Sequence, residues 1–201
     1  QGSVQWPPRG SAATRAGLIA ENAVTRRGAL IALDQLDDGG LILDDVVSLV
    51  AADDAELQRT AAAVFSRHND WKPHSAEVMT QLLKSPLSVD LNASVIRKLT
   101  AQSLGDESMC KLVGRILSDP TTPVATRNLL LGAMAEGQDV ALHDSWIEPL
   151  ERLLEESRDL RASELALAAL SAIKSDRFQE RLNRWGTDES RPTLLRVAAL
   201  E

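Results

Sequence analysis

The sequence is poor in aromatic residues and has a single cysteine. Its 201 residues include four Trp, two Phe and no Tyr, so that aromatic residues make up 3% of the chain, and Cys110 is the one cysteine. A single cysteine excludes a disulfide framework and a cysteine-rich zinc or iron–sulfur site within these residues. Hydrophobic residues nevertheless make up 44% of the chain, which is too apolar for a disordered protein.

An excess of positive charge and long apolar runs are lacking as well. The chain carries 22 Lys+Arg against 29 Asp+Glu, a formal net charge of −7. A general nucleic-acid binder has a basic footprint, so we expect no nucleic-acid partner. A helix that spans a bilayer needs about 20 apolar residues in succession, and because no run approaches this length we expect no membrane insertion.

The motifs of the common catalytic and cofactor sites do not occur either. The sequence has no Gly-x-Ser-x-Gly, no phosphate-binding loop, no dinucleotide fingerprint and no His-Glu-x-x-His pattern, each of which places specific chemistry at a fixed spacing. We therefore predict that the chain is not an enzyme and has no catalytic, cofactor-binding or metal-binding residues of its own.

What the sequence does contain is a series of amphipathic helices separated by breakers. Apolar residues recur at spacings of three and four, and Ala, Leu, Glu and Arg, which favour helices, are frequent. We predict an all-α protein whose helices form pairs, the last of them incomplete: Ala12–Glu21 with Ala23–Leu36, Asp44–Ala52 with Asp54–Arg67, Ser75–Lys84 with Val89–Leu104, Glu107–Ser118 with Pro123–Ala135, Ser145–Glu156 with Leu160–Ile173, and Arg177–Arg184 with the segment from Arg191 onward.

The second helices of these pairs repeat at a nearly constant interval. Aligned by their apolar pattern, they place positions 27, 59, 93, 127, 163 and 196 in register, with steps of 32 to 36 residues. A constant period in this range is typical of α-solenoids, in which each helix pair buries its apolar face against the next pair.

The segment from Asp53 to Phe65 resembles the second helix of a HEAT repeat. It reads Asp-Asp-Ala-Glu-Leu-Gln-Arg-Thr-Ala-Ala-Ala-Val-Phe, an acidic turn followed by an apolar residue, an arginine and an Ala-rich apolar stripe. The resemblance covers nearly the whole chain. It implies a right-handed α-α superhelix of about five and a half helix pairs over residues 12–201, preceded by an N-terminal loop or remnant over residues 1–11.

A narrower resemblance concerns the first two pairs. Arg26–Leu36, Gly39-Gly40-Leu and Ser66–Trp71 look like the HEAT segment of large exported proteins of planctomycete-type bacteria, which join a dehydrogenase-like β-propeller, a helical repeat region and a c-type cytochrome domain. This resemblance implies a periplasmic or exported location. The chain starts without Met and stops within an apolar helical pattern, so we expect it to be part of a larger protein. No haem role is carried over, because Cys110 is followed by Lys-Leu-Val and not by the haem-attachment pattern.

Arginine occupies four of the six aligned positions. Arg27, Arg59, Arg127 and Arg196 could form a basic stripe for an acidic partner. They could equally form an internal ladder, each bonding an acidic turn residue such as Asp53 or Asp54 of its own or the next repeat. We favour the ladder, since repeated charges in solenoids usually serve stacking.

The remaining candidates each have a functional and a packing interpretation. His68, Asp70 and His74 could hold a metal ion, but their spacing matches no established ligand motif and helix-end histidines are the simpler reading. Cys110 could be a nucleophile, but a lone cysteine on an apolar helix face is more often a packed residue. The tryptophans could be partner anchors or could pack between repeats, and we favour packing. The four tryptophans are Trp6, Trp71, Trp146 and Trp185.

Two functions of different classes remain. The first is a non-catalytic scaffold whose second helices hold a protein partner or a neighbouring domain of the same chain, as repeat arrays commonly do. The alternative is a structural part of an exported redox enzyme that contributes to its active site. The narrower resemblance alone motivates the alternative, and the missing catalytic motifs favour the scaffold.

Overall fold

A computed structural model of the chain describes residues 9–36, 40–84, 89–137, 140–156, 159–173, 176–189 and 192–200. These residues form α-helices joined by short connections, with two segments of 3₁₀-helix and no strand, so the predicted all-α class is confirmed. The α-helices are α1 Arg9–Ala16, α2 Ala23–Asp34, α3 Leu43–Val50, α4 Ala55–Arg67, α5 Ser75–Lys84, α6 Val89–Ser103, α7 Glu107–Ser118, α8 Val124–Ala135, α9 Asp144–Glu156, α10 Leu160–Ala172, α11 Asp176–Thr187 and α12 Thr193–Ala198.

The helices predicted from the sequence are present, with small shifts at their ends. α5 and α7 have the predicted bounds, whereas α1 begins at Arg9, three residues before the predicted start, and passes into a 3₁₀ turn over Gly17–Ile19. Of the predicted N-terminal segment 1–11, residues 1–8 lie outside the described residues. The largest difference is Asn69–His74, which we expected to be a simple break and which forms a 3₁₀-helix.

Acidic and amide side chains fix the starts of several helices. Asn22, Asp54 and Asp106 each accept a hydrogen bond from a backbone N–H in the first turn of α2, α4 and α7, and Asp159 accepts two at the start of α10. Such caps satisfy donors that have no partner inside the helix, and each stabilises the protein by about 1 kcal/mol. They set the register in which each helix turns its apolar face inward.

The chain divides into two compact units, residues 1–95 and 96–201. In the first unit α2 packs against α4, and α3 packs against α4 and α5. Second helices of the predicted pairs therefore contact one another, and so do first helices. The core residues are fully or almost fully buried because they share the inner faces of these helices: Leu30, Leu33, Val46, Val50, Leu57, Ala61, Val64, Val78 and Met79.

The second unit has the same order of contacts. α8 packs against α10, α10 packs against α12, and α7 packs against α9, while α9 contacts α10 within its own pair. Arg152 in α9 adds a polar link, because its Nη2 donates to the carbonyl oxygens of Leu117 and Ser118 at 3.3 and 2.8 Å. These carbonyls lie at the end of α7, where a cation also complements the helix dipole.

The crossing of α7 and α9 depends on a glycine and a proline. Pro149 lies inside α9 and has no N–H to bond the Ser145 carbonyl four residues earlier. Gly114 of α7 approaches that carbonyl so closely that a Cβ built on it would lie 2.6 Å from the Ser145 oxygen. Only glycine fits this position without a shift of one helix.

Candidate interaction surface on helices α2 and α4

An open groove of about 500 Å³ runs between α2 and α4 in the first unit. The outer faces of the two neighbouring second helices line it. α4 contributes a row at intervals of four residues, and α2 contributes the residues of its last turns. The lining residues are Ile31, Asp34, Gln35, Arg59, Thr60, Ala63 and Arg67. We call this site the α2–α4 groove.

The groove follows from the apolar pattern of the two helices. α4 buries Leu57, Ala61 and Val64, and with 3.6 residues per turn this leaves positions 59, 63 and 67 on the opposite side. α2 buries Leu30 and Leu33 in the same way. The side chain that faces the groove between them is Ile31, which is 38% exposed.

One end of the groove holds two guanidinium groups on a single carboxylate. Arg27 Nη1 of α2 lies 3.4 Å from Glu56 Oε2 of α4, and Arg59 bonds the other oxygen of the same carboxylate. The side chains are 35% exposed for Arg27, 59% for Glu56 and 49% for Arg59. This end therefore carries one positive charge in excess within the three-residue cluster.

The other end holds a nearly buried carboxylate. The Asp34 side chain is 9% exposed, bonds the guanidinium of Arg67, and lies 3.0 Å from Nε2 of His68. The His68 ring is stacked on Trp71 with centroids 3.8 Å apart, and Phe65 lies beside Trp71 with centroids 6.4 Å apart. The 3₁₀-helix thus places Trp71 against His68, which in turn contacts Asp34.

The four aligned arginines do not share one environment. Arg27 and Arg59 bond Glu56 and not Asp53 or Asp54, since Asp54 is used as the cap of α4. Arg127 donates to the carbonyl of Thr122 at 3.3 Å, and Arg196 donates to that of Gly186 at 3.3 Å. The Arg27–Glu56 pair joins neighbouring second helices. Arg127 instead bonds the backbone just before its own helix α8, and Arg196 bonds the backbone near the end of α11.

Cys110 lies in a polar contact between α7 and α9. Its thiol donates to the carbonyl of Leu104 at 3.1 Å, while its own carbonyl accepts from Ser145 Oγ at 3.1 Å and from Trp146 Nε1 at 2.8 Å. Burial, with a smaller effect from the Asp106 carboxylate, raises the pKa of the Cys110 thiol from 9.0 to about 11. A thiol held protonated in this way is a packing residue and not an activated nucleophile.

The histidines and tryptophans take structural positions. His68 contacts Asp34 and Trp71, and His74 Nδ1 lies 3.5 Å from Glu77. Within the described residues no group of three or more His, Cys, Asp and Glu side chains is placed to hold a metal ion. Trp71, Trp146 and Trp185 are buried to at least nine-tenths, which is the packing interpretation, and Trp6 lies outside the described residues.

Sequence reasoning missed Asp34, Ile31 and Arg67 as parts of the surface. The signal was available, because Arg67 follows Arg59 by eight residues and so returns to the same face of α4. The separation of Asp34 and Arg67 is 33 residues, which equals one repeat step. An alignment of one position across the repeats does not show which residues share a face within a single helix.

Comparison with protein-family models, with curated proteins and with solved structures finds no match to this chain. None of the helices in its described part is long and apolar enough to cross a membrane.

Proposed function

We propose that the chain is a HEAT-like helical repeat that acts as a non-catalytic interaction module, with its second helices as the binding face. The carrying observation is the α2–α4 groove, an open surface of about 500 Å³ on two adjacent second helices. Its volume is in the range of about 300–1,000 Å³ that ligand sites occupy. The partner is a protein segment, from another protein or from a neighbouring domain.

Two features of the helices support a repeat as the framework. In each unit second helices pack on second helices and first helices pack on first helices, which supports an array of stacked helix pairs. The near-constant step of 32 to 36 residues between equivalent positions points the same way. In such arrays each repeat contacts only its neighbours, and the inner helices form the working surface.

The chemistry of the groove favours binding over catalysis. Its ionisable side chains are partnered as ion pairs: Arg59 with Glu56, and Arg67 with Asp34. A general acid or base needs a titratable group poised toward a substrate, and a recognition surface needs charges and apolar atoms held in fixed positions. The groove offers the second arrangement.

A photo-cross-linking experiment in the cells that produce the protein tests the proposal. A photoreactive amino acid replaces Ala63 on the groove floor, and in a matched variant it replaces Glu77, which is exposed on α5 of the same unit. We expect a defined cross-linked product from position 63 that is absent from position 77 and is lost when Arg59→Glu is added. Equal products from both positions, or none from position 63, would contradict the proposal.

A further inference from the structure

We infer that the occupant of the α2–α4 groove is an extended segment of a partner protein in which one acidic residue lies on each side of an apolar residue. The inference rests on the proposed function and specifies its partner. It depends on three features: the sign of the charge in the groove, the position of its apolar floor, and the separation of Arg59 and Arg67 along α4.

The groove is locally positive in an acidic chain. Its lining contains two guanidinium groups and one carboxylate, whereas the whole chain has a formal net charge of −7. Arg27 and Glu56 beside the groove add one charge of each sign, so that three guanidinium groups and two carboxylates leave one positive charge in excess. An anionic partner therefore meets attraction here, and opposite potentials steer association toward a matching surface.

The guanidinium groups retain donors for a ligand. An arginine has five N–H donors in a planar fork that fits a carboxylate with two parallel bonds. Arg59 and Arg67 have side chains 49% and 56% exposed, so each bonds its internal carboxylate with one edge and faces solvent with the rest. Their internal ion pairs hold the forks in place, which lowers the entropy lost on binding.

The spacing of Arg59 and Arg67 along the backbone of α4 matches that of side chains on an extended chain. Arg59 and Arg67 are eight residues apart on α4, about 12 Å at 1.5 Å per residue. A strand rises about 3.3 Å per residue and turns alternate side chains to the same side. Acidic residues four positions apart therefore reach both arginines, and the residue midway between them faces Ala63 and Ile31, the apolar part of the floor. The pattern is acidic-x-apolar-x-acidic.

Titration of the full 201-residue chain with three labelled peptides tests the inference. The peptides share a backbone of about ten residues, which extends over roughly 30 Å, and contain Glu-x-Leu-x-Glu, Gln-x-Leu-x-Gln or Lys-x-Leu-x-Lys. Fluorescence anisotropy gives the affinity, and backbone amide shifts of Thr60 and Ala63 give the site. We expect the Glu peptide to bind at these amides at least about tenfold more tightly than the Gln peptide, because charged hydrogen bonds are the stronger ones.

Variants locate the binding energy. Arg59→Ala and Arg67→Ala should each weaken the Glu peptide by about tenfold. The control Arg161→Ala removes an exposed Arg–Glu pair of the same i,i+3 spacing outside the groove and should leave the affinity unchanged. Ala63→Glu adds a carboxylate to an exposed floor position and should repel the Glu peptide without disturbing the fold, which circular dichroism verifies.

The possible results distinguish a failure of the acidic occupant from a failure of the proposed function. Equal binding of the Glu and Gln peptides at Thr60 and Ala63, or tighter binding of the Lys peptide there, would overturn the acidic occupant and leave the interaction module standing. Absence of binding by all three peptides would also overturn the occupant, and cross-linking from position 63 would then decide the function independently.

Discussion

The close crossing of α7 and α9 gives a sharp test of the packing. Gly114 meets Ser145 so closely that an added Cβ would lie 2.5 Å from its Oγ and 2.6 Å from its carbonyl oxygen. The backbone atom cannot rotate away as a flexible side chain could. Gly132 on α8 of the same unit offers the contrast, because a Cβ there would lie 3.9 Å from the nearest atom, Cδ2 of Leu165.

Substitution by alanine is therefore expected to change the free energy of unfolding in opposite directions at the two glycines. In either helix Gly→Ala gains about 0.8–1.0 kcal/mol of helix propensity. Gly132→Ala should keep this gain and raise the free energy of unfolding by about 0.5–1 kcal/mol. Gly114→Ala must also push α7 from α9, and because overpacking costs about 1–3 kcal/mol or more, the net change should be a loss of up to about 2 kcal/mol.

Urea unfolding of both variants measures the difference. The buried Trp146 lies next to the crossing, since its Nε1 donates to the Cys110 carbonyl. With Trp185 it places two of the four tryptophans in this unit, so tryptophan fluorescence is followed together with circular dichroism. The urea midpoint should rise for Gly132→Ala and fall for Gly114→Ala at unchanged slope. A rise for both variants would refute the close approach of α7 and α9.

Three further predictions follow from single contacts. Burial raises the pKa of the Cys110 thiol from 9.0 to about 11, so the contribution of the neutral thiol to stability is present below about pH 9 and is lost as the pH rises through 11. A thiol reagent at pH 8 should label Cys110 only as the protein unfolds. Arg152→Ala removes the donor at the end of α7 and should lower the free energy of unfolding by about 1–3 kcal/mol, against at most about 0.5 kcal/mol for the exposed Arg161→Ala, as urea midpoints will show. Asp34→Ala removes the carboxylate that Arg67 and His68 share and, because both partners remain open to solvent, should cost at most about 1 kcal/mol in the same assay.

The helices could be predicted because their apolar residues recur with the period of a helix. α5 and α7 have the predicted bounds, since capping residues and breakers stand directly beside the periodic runs. The 3₁₀-helix over Asn69–His74 could not be predicted from the apolar period. Its Asn, Asp and Pro residues favour a turn. The contact of His68 with Asp34, 34 residues earlier in the chain, is a tertiary contact that residue spacing does not reveal.

The candidate surface could be predicted only in part. Arg27 and Arg59 were found because they recur at one repeat step. Their partner Glu56 was missed, because an acidic residue three positions before Arg59 reads as an ordinary helix pair. The same alignment failed for Arg127, whose guanidinium turns to the Thr122 carbonyl, since an equal position in a repeat does not fix which acceptor lies within reach.

Arginine footprinting on the bound and free protein tests the binding face most directly. The chain is treated with an arginine-specific dicarbonyl reagent, alone and with the partner recovered by cross-linking from position 63, and modification is read by mass spectrometry. We expect the bound partner to protect Arg59 and Arg67 from modification, while the exposed Arg161 and Arg184 react as before. Protection of Arg161 or Arg184 with Arg59 and Arg67 still reactive would contradict it.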